Sequence, residues 1–254
     1  MSGHSRWAQI KHKKAAVDAK RGRLFGRLIK EITVAARLGG GDPDSNPRLR
    51  TAIAAAKAEN MPADNIERAL KRGTGQLPGM SFEDATFEGY GPGGVAVLVE
   101  TTTDNRNRTV NELRHLFSKW SGNLGEGGCV AWMFHKKGYV TVPKTKVDEE
   151  TLMTLVLEAG AEDLRDDGSN WEVIAPPEKV DALKDALAAH GLTPTTAEAT
   201  LLPQSTVRVQ GANTQQLMRL LEALEEHDDV QHVYANFDIA EKEIEEALAG
   251  SRSE

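Results

Sequence analysis

At 254 residues the chain is long enough for two or three domains of roughly 100–200 residues each, and its 39% hydrophobic and 27% charged residues describe packed cores rather than a disordered chain. No run approaches the ~18 consecutive apolar residues of a membrane span, and the single cysteine, Cys129, excludes a disulfide framework and a Cys-rich zinc site. The net charge of −7 conceals a division: residues 1–75 carry 16 Lys+Arg against 7 Asp+Glu, a net of +9, and residues 76–254 carry the remaining 15 against 31, a net of −16. A basic module for a polyanion carried on an acidic body is the expected organisation.

The basic residues are densest at the start, where Arg6, Lys11, Lys13, Lys14, Lys20, Arg21, Arg23, Arg27 and Lys30 face one acid, Asp18. An organelle transit peptide is also Arg-rich, but it is Ser-rich and lies ahead of the fold, whereas these cations run on into a patterned helix. Residue 1 is therefore read as the start of the mature, cytoplasmic protein. From Ala15 to Arg37 the apolar residues Val17, Leu24, Leu28, Ile32 and Ala35 share one helical face, and Lys20, Arg23, Arg27, Lys30 and Arg37 the other; Arg21 projects towards the apolar side. Gly39–Asp42 and Pro43 end this helix. Asn46 with Pro47 opens a second, burying Leu49, Ile53 and Ala56; Asn60-Met61-Pro62 ends it. A third runs from Ala63 to Arg72, burying Ile66 and Leu70. A solvated helix face mixes its signs, yet Glu31 is the only acid between Ala19 and Gly41, which favours phosphate contact. Such contacts give affinity and salt dependence without base readout. Trp7 and His4 sit within the arm, where Trp7 either stacks on bases or anchors the arm to the bundle. An interfacial membrane helix would need a Trp/Phe-rich apolar edge, which is missing.

Beyond residue 76 the chain alternates strands and helices. Ala85–Tyr90 and Val95–Thr103 read as strands across Gly91–Gly94. A helix follows over Val110–Trp120, capped by Thr109 with Glu112 three residues on, and Cys129–Phe134 reads as a strand. Arg106 and Arg108, ahead of that helix, either hold a phosphate or close loop hydrogen bonds and ion pairs. Residues 137–203 read as β-α-β-β-α-β: strand Tyr139–Val142, helix Glu149–Ala159, strands Glu162–Arg165 and Trp171–Ala175, helix Glu178–His190, strand Thr195–Leu202. The helix Thr214–His227 and strand Val230–Phe237 that follow complete the earlier sheet. The expected fold is thus α+β and multidomain: an N-terminal three-helix bundle (1–75), a middle α+β domain (76–135 plus 204–240), a ferredoxin-like βαββαβ domain inserted in it (136–203), and an acidic C-terminal tail (241–254).

Catalytic motifs are missing. There is no Gly-Lys dipeptide for a P-loop, no Gly-x-Ser-x-Gly elbow, and no His-Glu-x-x-His pair among seven histidines. Cys129, beside Val130, Ala131 and Trp132, reads as a small core residue. Asp166/Asp167 and Asp228/Asp229 read as solvated turn residues. The expectation is a protein without enzyme activity, cofactor, metal or small-molecule substrate.

Several ordered motifs resemble the YebC/PmpR family: Gly3-His4-Ser5-Arg6-Trp7, Ile10-Lys11, Lys14, Asp18, Arg21-Gly22, Phe25 and Lys30-Glu31-Ile32, then Asn60-Met61-Pro62 and Asp64-Asn65-Ile66. Glu88–Gly94, Thr103–Thr109, Asn123-Leu124-Gly125, Val130 and Phe134 continue the match, which is dense to Phe134 and looser beyond. Arg6, Ser121 and Cys129 depart from the pattern, where Lys, Gly and Ser are usual. The resemblance implies a helical bundle followed by two α+β domains, no enzymatic activity, no cofactor, and a cytoplasmic DNA-binding transcriptional regulator. It also implies a second reading, since a mitochondrial relative activates translation of cytochrome c oxidase and bacterial members are connected with ribosomes stalled at proline-rich stretches. On that reading the same basic module would contact ribosomal RNA, which phosphate-only contact suits. An acidic adaptor whose basic tip steers docking to a protein is a third class. No helix-turn-helix aimed at base edges is identifiable, and oligomeric state is left open.

Overall fold

The computed structural model describes the backbone of residues 17–79, 81–240 and 243, and the side chains from residue 22 onward within those ranges. The first helix, α1 (Val17–Gly39), packs on α2 (Pro47–Ala58) and α3 (Ala63–Gly73). Its apolar face meets theirs in a core of Ile32, Ala35, Ala36, Leu49, Ala52, Ala56, Met61 and Ala69, with Leu28, Ile53, Ile66 and Leu70 partly buried around it. Asn46 caps α2 as its sequence predicts, accepting from the Leu49 N–H at 3.1 Å. Its amide also donates to the carbonyls of Ala35 (2.8 Å) and Gly40 (2.9 Å), so one buried side chain closes α1 and opens α2. Gly73 lets α3 reach α1: a Cβ there would lie 2.4 Å from the Thr33 carbonyl oxygen and 2.7 Å from Ala36 Cβ.

A four-stranded antiparallel sheet follows, built from β1 (Glu83–Tyr90), β2 (Ala96–Thr103), β3 (Asn123–Leu124) and, much later, β9 (Val230–Ala235), in the order β3-β1-β2-β9. Gly93 and Gly94, both at positive φ, make the β1–β2 connection possible. Helices α4 (Arg106–Lys119) and α7 (Ala212–Glu226) supply Leu113, Phe117, Leu217, Leu220, Leu221 and Leu224 to the core beneath it. Between β3 and α7 in sequence lies a second antiparallel sheet of β4 (Phe134–Pro143), β5 (Asp163–Asp166), β6 (Asn170–Ala175) and β7 (Thr196–Pro203). Its order is β5-β6-β4-β7. With α5 (Glu149–Glu158) and α6 (Val180–Ala189) it encloses its own core around Val140, Leu152, Val173, Leu183 and Leu187. A short parallel pair, β8 (Val207–Arg208) with β10 (Phe237–Asp238), ends the described chain.

Three sequence expectations are corrected. Cys129–Phe134 is not a strand: the buried Glu88 carboxylate gathers the N–H groups of Gly128, Val130 and Ala131 at 2.6–2.8 Å, which bends 125–131 into a loop followed by a 3-10 turn over Ala131–Met133. Thr109 is not a cap: Asn105, in extended conformation, accepts from the Arg108 N–H and starts α4 one turn earlier. The strand predicted over Val230–Phe237 breaks at Asn236, whose side chain accepts from the Ala96 N–H at 2.7 Å.

Candidate nucleic-acid interface

Arg6, Lys11, Lys13 and Lys14 lie outside the described residues, as do His4 and Trp7, and Lys20 and Arg21 are described only as backbone in α1. The remaining cations of α1 turn onto the acidic end of α7 and the turn into β9. Arg23 pairs with Glu226 at 3.5 Å, and Arg27 donates to the Glu225 carbonyl. Lys30 donates to the Asp228 carbonyl at 2.9 Å and to Asp229 Oδ1 at 2.6 Å. One turn of helix between successive cations matches the spacing of these acceptors.

Asp229 anchors the site. It is 3% exposed, and its second oxygen, Oδ2, takes Arg108 at 2.7 Å and the Thr109 hydroxyl at 2.8 Å, with the Thr103 hydroxyl at 3.2 Å. Burial pushes this carboxyl up, but the hydrogen bonds from Lys30, Arg108 and Thr109 outweigh it and hold the group well below the usual carboxylate range. Arg108 also bonds Asp104 at 2.9 Å, and these two acids raise its own affinity for a proton. Arg106 lies over the Phe87 ring, 5.8 Å from its centre. Both arginines thus sit in the first turn of α4, not ahead of it, and Arg108 closes ion pairs within the molecule. Reading Asp228/Asp229 as a solvated turn is corrected for Asp229, and Asp167, at 4% exposed, is likewise buried.

An open cleft of about 1050 Å³ runs between α1 and α4, lined by Arg23, Lys30, Arg108, Asn111, His115 and Glu226 among others. On one wall Glu112, His227 and Asp229 bring possible metal-ligand atoms within 4.8 Å of one another. His227 and Asp229 are already engaged, by the trio itself and by the two cations. His227 Nδ1 accepts from the Asp229 N–H (3.1 Å), which leaves the proton on Nε2 to bond Glu112 at 2.9 Å, while Asp229 is held by two cations. The trio is therefore an orienting network rather than a ligand set.

The turn between α2 and α3 has Asn60 at φ +57, in the left-handed region that Asn tolerates. On α3, Arg68 pairs with Asp64 at 3.3 Å and Lys71 with Glu67 at 2.5 Å, while Arg72 is exposed, so the helix carries one cation beyond its two acids. Cys129 is half-buried beside the Ala96, Leu98 and Val130 cluster, and burial pushes its thiol up, away from nucleophilic use. Sequence reasoning missed the roles of Asp229, Thr103 and Thr109 because only the return of β9 beside β2 brings them together, and Arg108 has nearer acids, Asp104 and Glu112, to pair with in sequence.

Residues 5–76 match the family described as "TACO1/YebC protein N-terminal domain", and residues 82–237 that described as "TACO1/YebC second and third domain". The chain belongs to the TACO1/YebC family. Relatives of this TACO1/YebC chain include a protein of Acidobacterium capsulatum, 62% identical over 96% of this chain and 98% of its own. Another, from Desulfatibacillum aliphaticivorans, is 60% identical over 97% of this chain and all of its own. Both carry the name "Probable transcriptional regulatory protein". The crystal structure of a conserved hypothetical protein from Aquifex aeolicus is 52% identical, with a TM-score of 0.78 over 92% of this chain and 97% of that one. The mixed helix-and-sheet architecture is thus shared with a solved TACO1/YebC-like structure. No helix among the described residues is long and apolar enough to cross a membrane.

Proposed function

We propose that this chain is a non-enzymatic, cytoplasmic regulator of transcription that binds DNA through its basic end. The observation that carries the reading is the charge division: six cations, Arg6, Lys11, Lys13, Lys14, Lys20 and Arg21, against the single acid Asp18 in residues 1–21, at the end of a chain that is otherwise strongly acidic. The names of its relatives support a regulatory role, and the ion pairing of Arg23, Arg27, Lys30 and Arg108 within the molecule concentrates the proposed phosphate contacts on the residues before them. Phosphate contact of this kind gives affinity and orientation, and any sequence preference comes from DNA shape and deformability. The separate main cores of the bundle, the first sheet and the second sheet support a division into a bundle (1–75), a middle domain (76–135 with 204–240) and an inserted ferredoxin-like domain (136–203), with a smaller cluster around Ala96, Val130 and Phe134 joining the last two.

Replacing Lys11, Lys13, Lys14, Lys20 and Arg21 together by Ala tests the reading. Duplex DNA binding, followed by fluorescence anisotropy, should weaken by about 100-fold or more while the far-ultraviolet circular dichroism is unchanged. Undiminished binding would place the contact surface elsewhere.

A further inference from the structure

The contacts between the helical bundle and the rest of the molecule share one polarity. The bundle's apolar core is drawn from residues 25–70 alone, and no sheet residue enters it among those described. What joins bundle to body is polar: Arg23 to Glu226, Arg27 to the Glu225 carbonyl, Lys30 to Asp228 and Asp229, Arg37 to Ser81 and the Phe82 carbonyl, Arg48 to Asp84. The described bonds run one way, with the cation on the bundle and the acceptor beyond it. The end of α7 and the turn after it thus meet the cations of α1 with two carboxylates, Glu226 and Asp229, and two backbone carbonyls, with the Glu225 and Asp228 charges acting on Arg27 as well. Asp229 keeps a charge partner without α1, since Arg108, Thr109 and Thr103, from α4 and β2 on its own side of the interface, all bond Oδ2, and Lys30 takes Oδ1. Lys30 can leave without stranding a buried, unpaired carboxylate, the outcome that normally makes such a contact permanent.

We propose that the 225–229 turn is an autoinhibitory clasp, a built-in phosphate mimic that covers Arg23, Arg27 and Lys30 until duplex DNA displaces it. The clasp rests on the DNA-binding reading above and adds its regulation. Closed, it confines the chain to the cations before residue 22; open, it adds three more on the same helix face. Weak DNA contact at the basic end and full engagement of α1 are then two states, and the difference in phosphate contacts drives the opening.

The test uses the full chain with three neutralised acids, Glu225→Gln, Glu226→Gln and Asp228→Asn, leaving Asp229 in place. A control chain removes as much charge from exposed positions on α5 and α6 and the turn before α6, through Glu149→Gln, Glu178→Gln and Asp185→Asn. Anisotropy with a fluorescein-labelled duplex should show about tenfold tighter binding for the first chain and less than a twofold change for the control. Spin labels at Lys57→Cys and Glu150→Cys, in a Cys129→Ser background, should move apart in the first chain without DNA and in the unmodified chain on adding it. Equal gains for both triple variants would overturn the clasp and leave the DNA reading standing. If no chain binds DNA, the DNA reading falls, and a label distance unchanged by the neutralised acids removes the clasp as well.

Discussion

Two buried carboxylates join segments distant in sequence, Asp229 through the side chains of Lys30, Arg108, Thr109 and Thr103, and Glu88 through three backbone N–H groups. At Asp229 the sign of the pH effect follows from its lowered pKa. The group contributes fully above the unfolded carboxylate pKa of about 3.9 and loses its contribution as pH falls towards the much lower folded value. Asp229→Asn should cost about 2–4 kcal/mol in urea denaturation at neutral pH, since Lys30 and Arg108 lose their charge partner. The gap between variant and parent should close below about pH 4; a gap independent of pH would contradict the ionised assignment. At Glu88 burial pushes the carboxyl up, and the N–H groups of Gly128, Val130 and Ala131 bring it back below the usual range. Glu88→Ala should cost about 2 kcal/mol and speed amide exchange at those three residues by about tenfold or more, leaving the bundle's exchange unchanged. Neither role was legible from sequence. A carboxylate beside its partners in space but 40–200 residues away looks like any surface acid, and Asp229 in particular stands in a run of acids that reads as solvated.

Elements were more legible than partners. The periodicity of α1, the Asn46-Pro47 start of α2 and the two strands across Gly91–Gly94 all lie in local residue patterns, and the structure places them within a few residues of expectation. What failed were boundaries set by competition. Asn105 caps α4 ahead of Thr109, and Glu88 takes the N–H groups that a strand over Cys129–Phe134 would have used. The cationic face of α1 was visible, but not that the acidic end of α7 meets it, because helical spacing says which way a side chain points and not what stands opposite. The packing of α1 on α3 makes its own prediction. Gly73→Ala places a methyl against the Thr33 carbonyl and Ala36, where backbone cannot yield cheaply, and should destabilise the bundle by about 1–3 kcal/mol. Thermal unfolding of the variant checks this, and an unchanged midpoint would mean that the α1–α3 approach is looser than described.

At the scale of the molecule, a net charge of −7 would argue against a polyanion partner, yet it is the sum of a basic end and an acidic body. The structure gives the two parts separate cores and a charged seam, and the family relationship joins the chain to proteins named as transcriptional regulators. The division was legible in the sequence because charge needs no folding to be counted. Its internal use was not, since four of the expected phosphate contacts, Arg23, Arg27, Lys30 and Arg108, meet the chain's own acceptors. The affinity of the full chain for duplex DNA, titrated against salt, tests the central claim most directly. If the six cations of residues 1–21 each neutralise a phosphate, log K falls with log salt at a slope of about −5, steepening when the 225–229 acids are neutralised. An affinity that does not change with salt would contradict it.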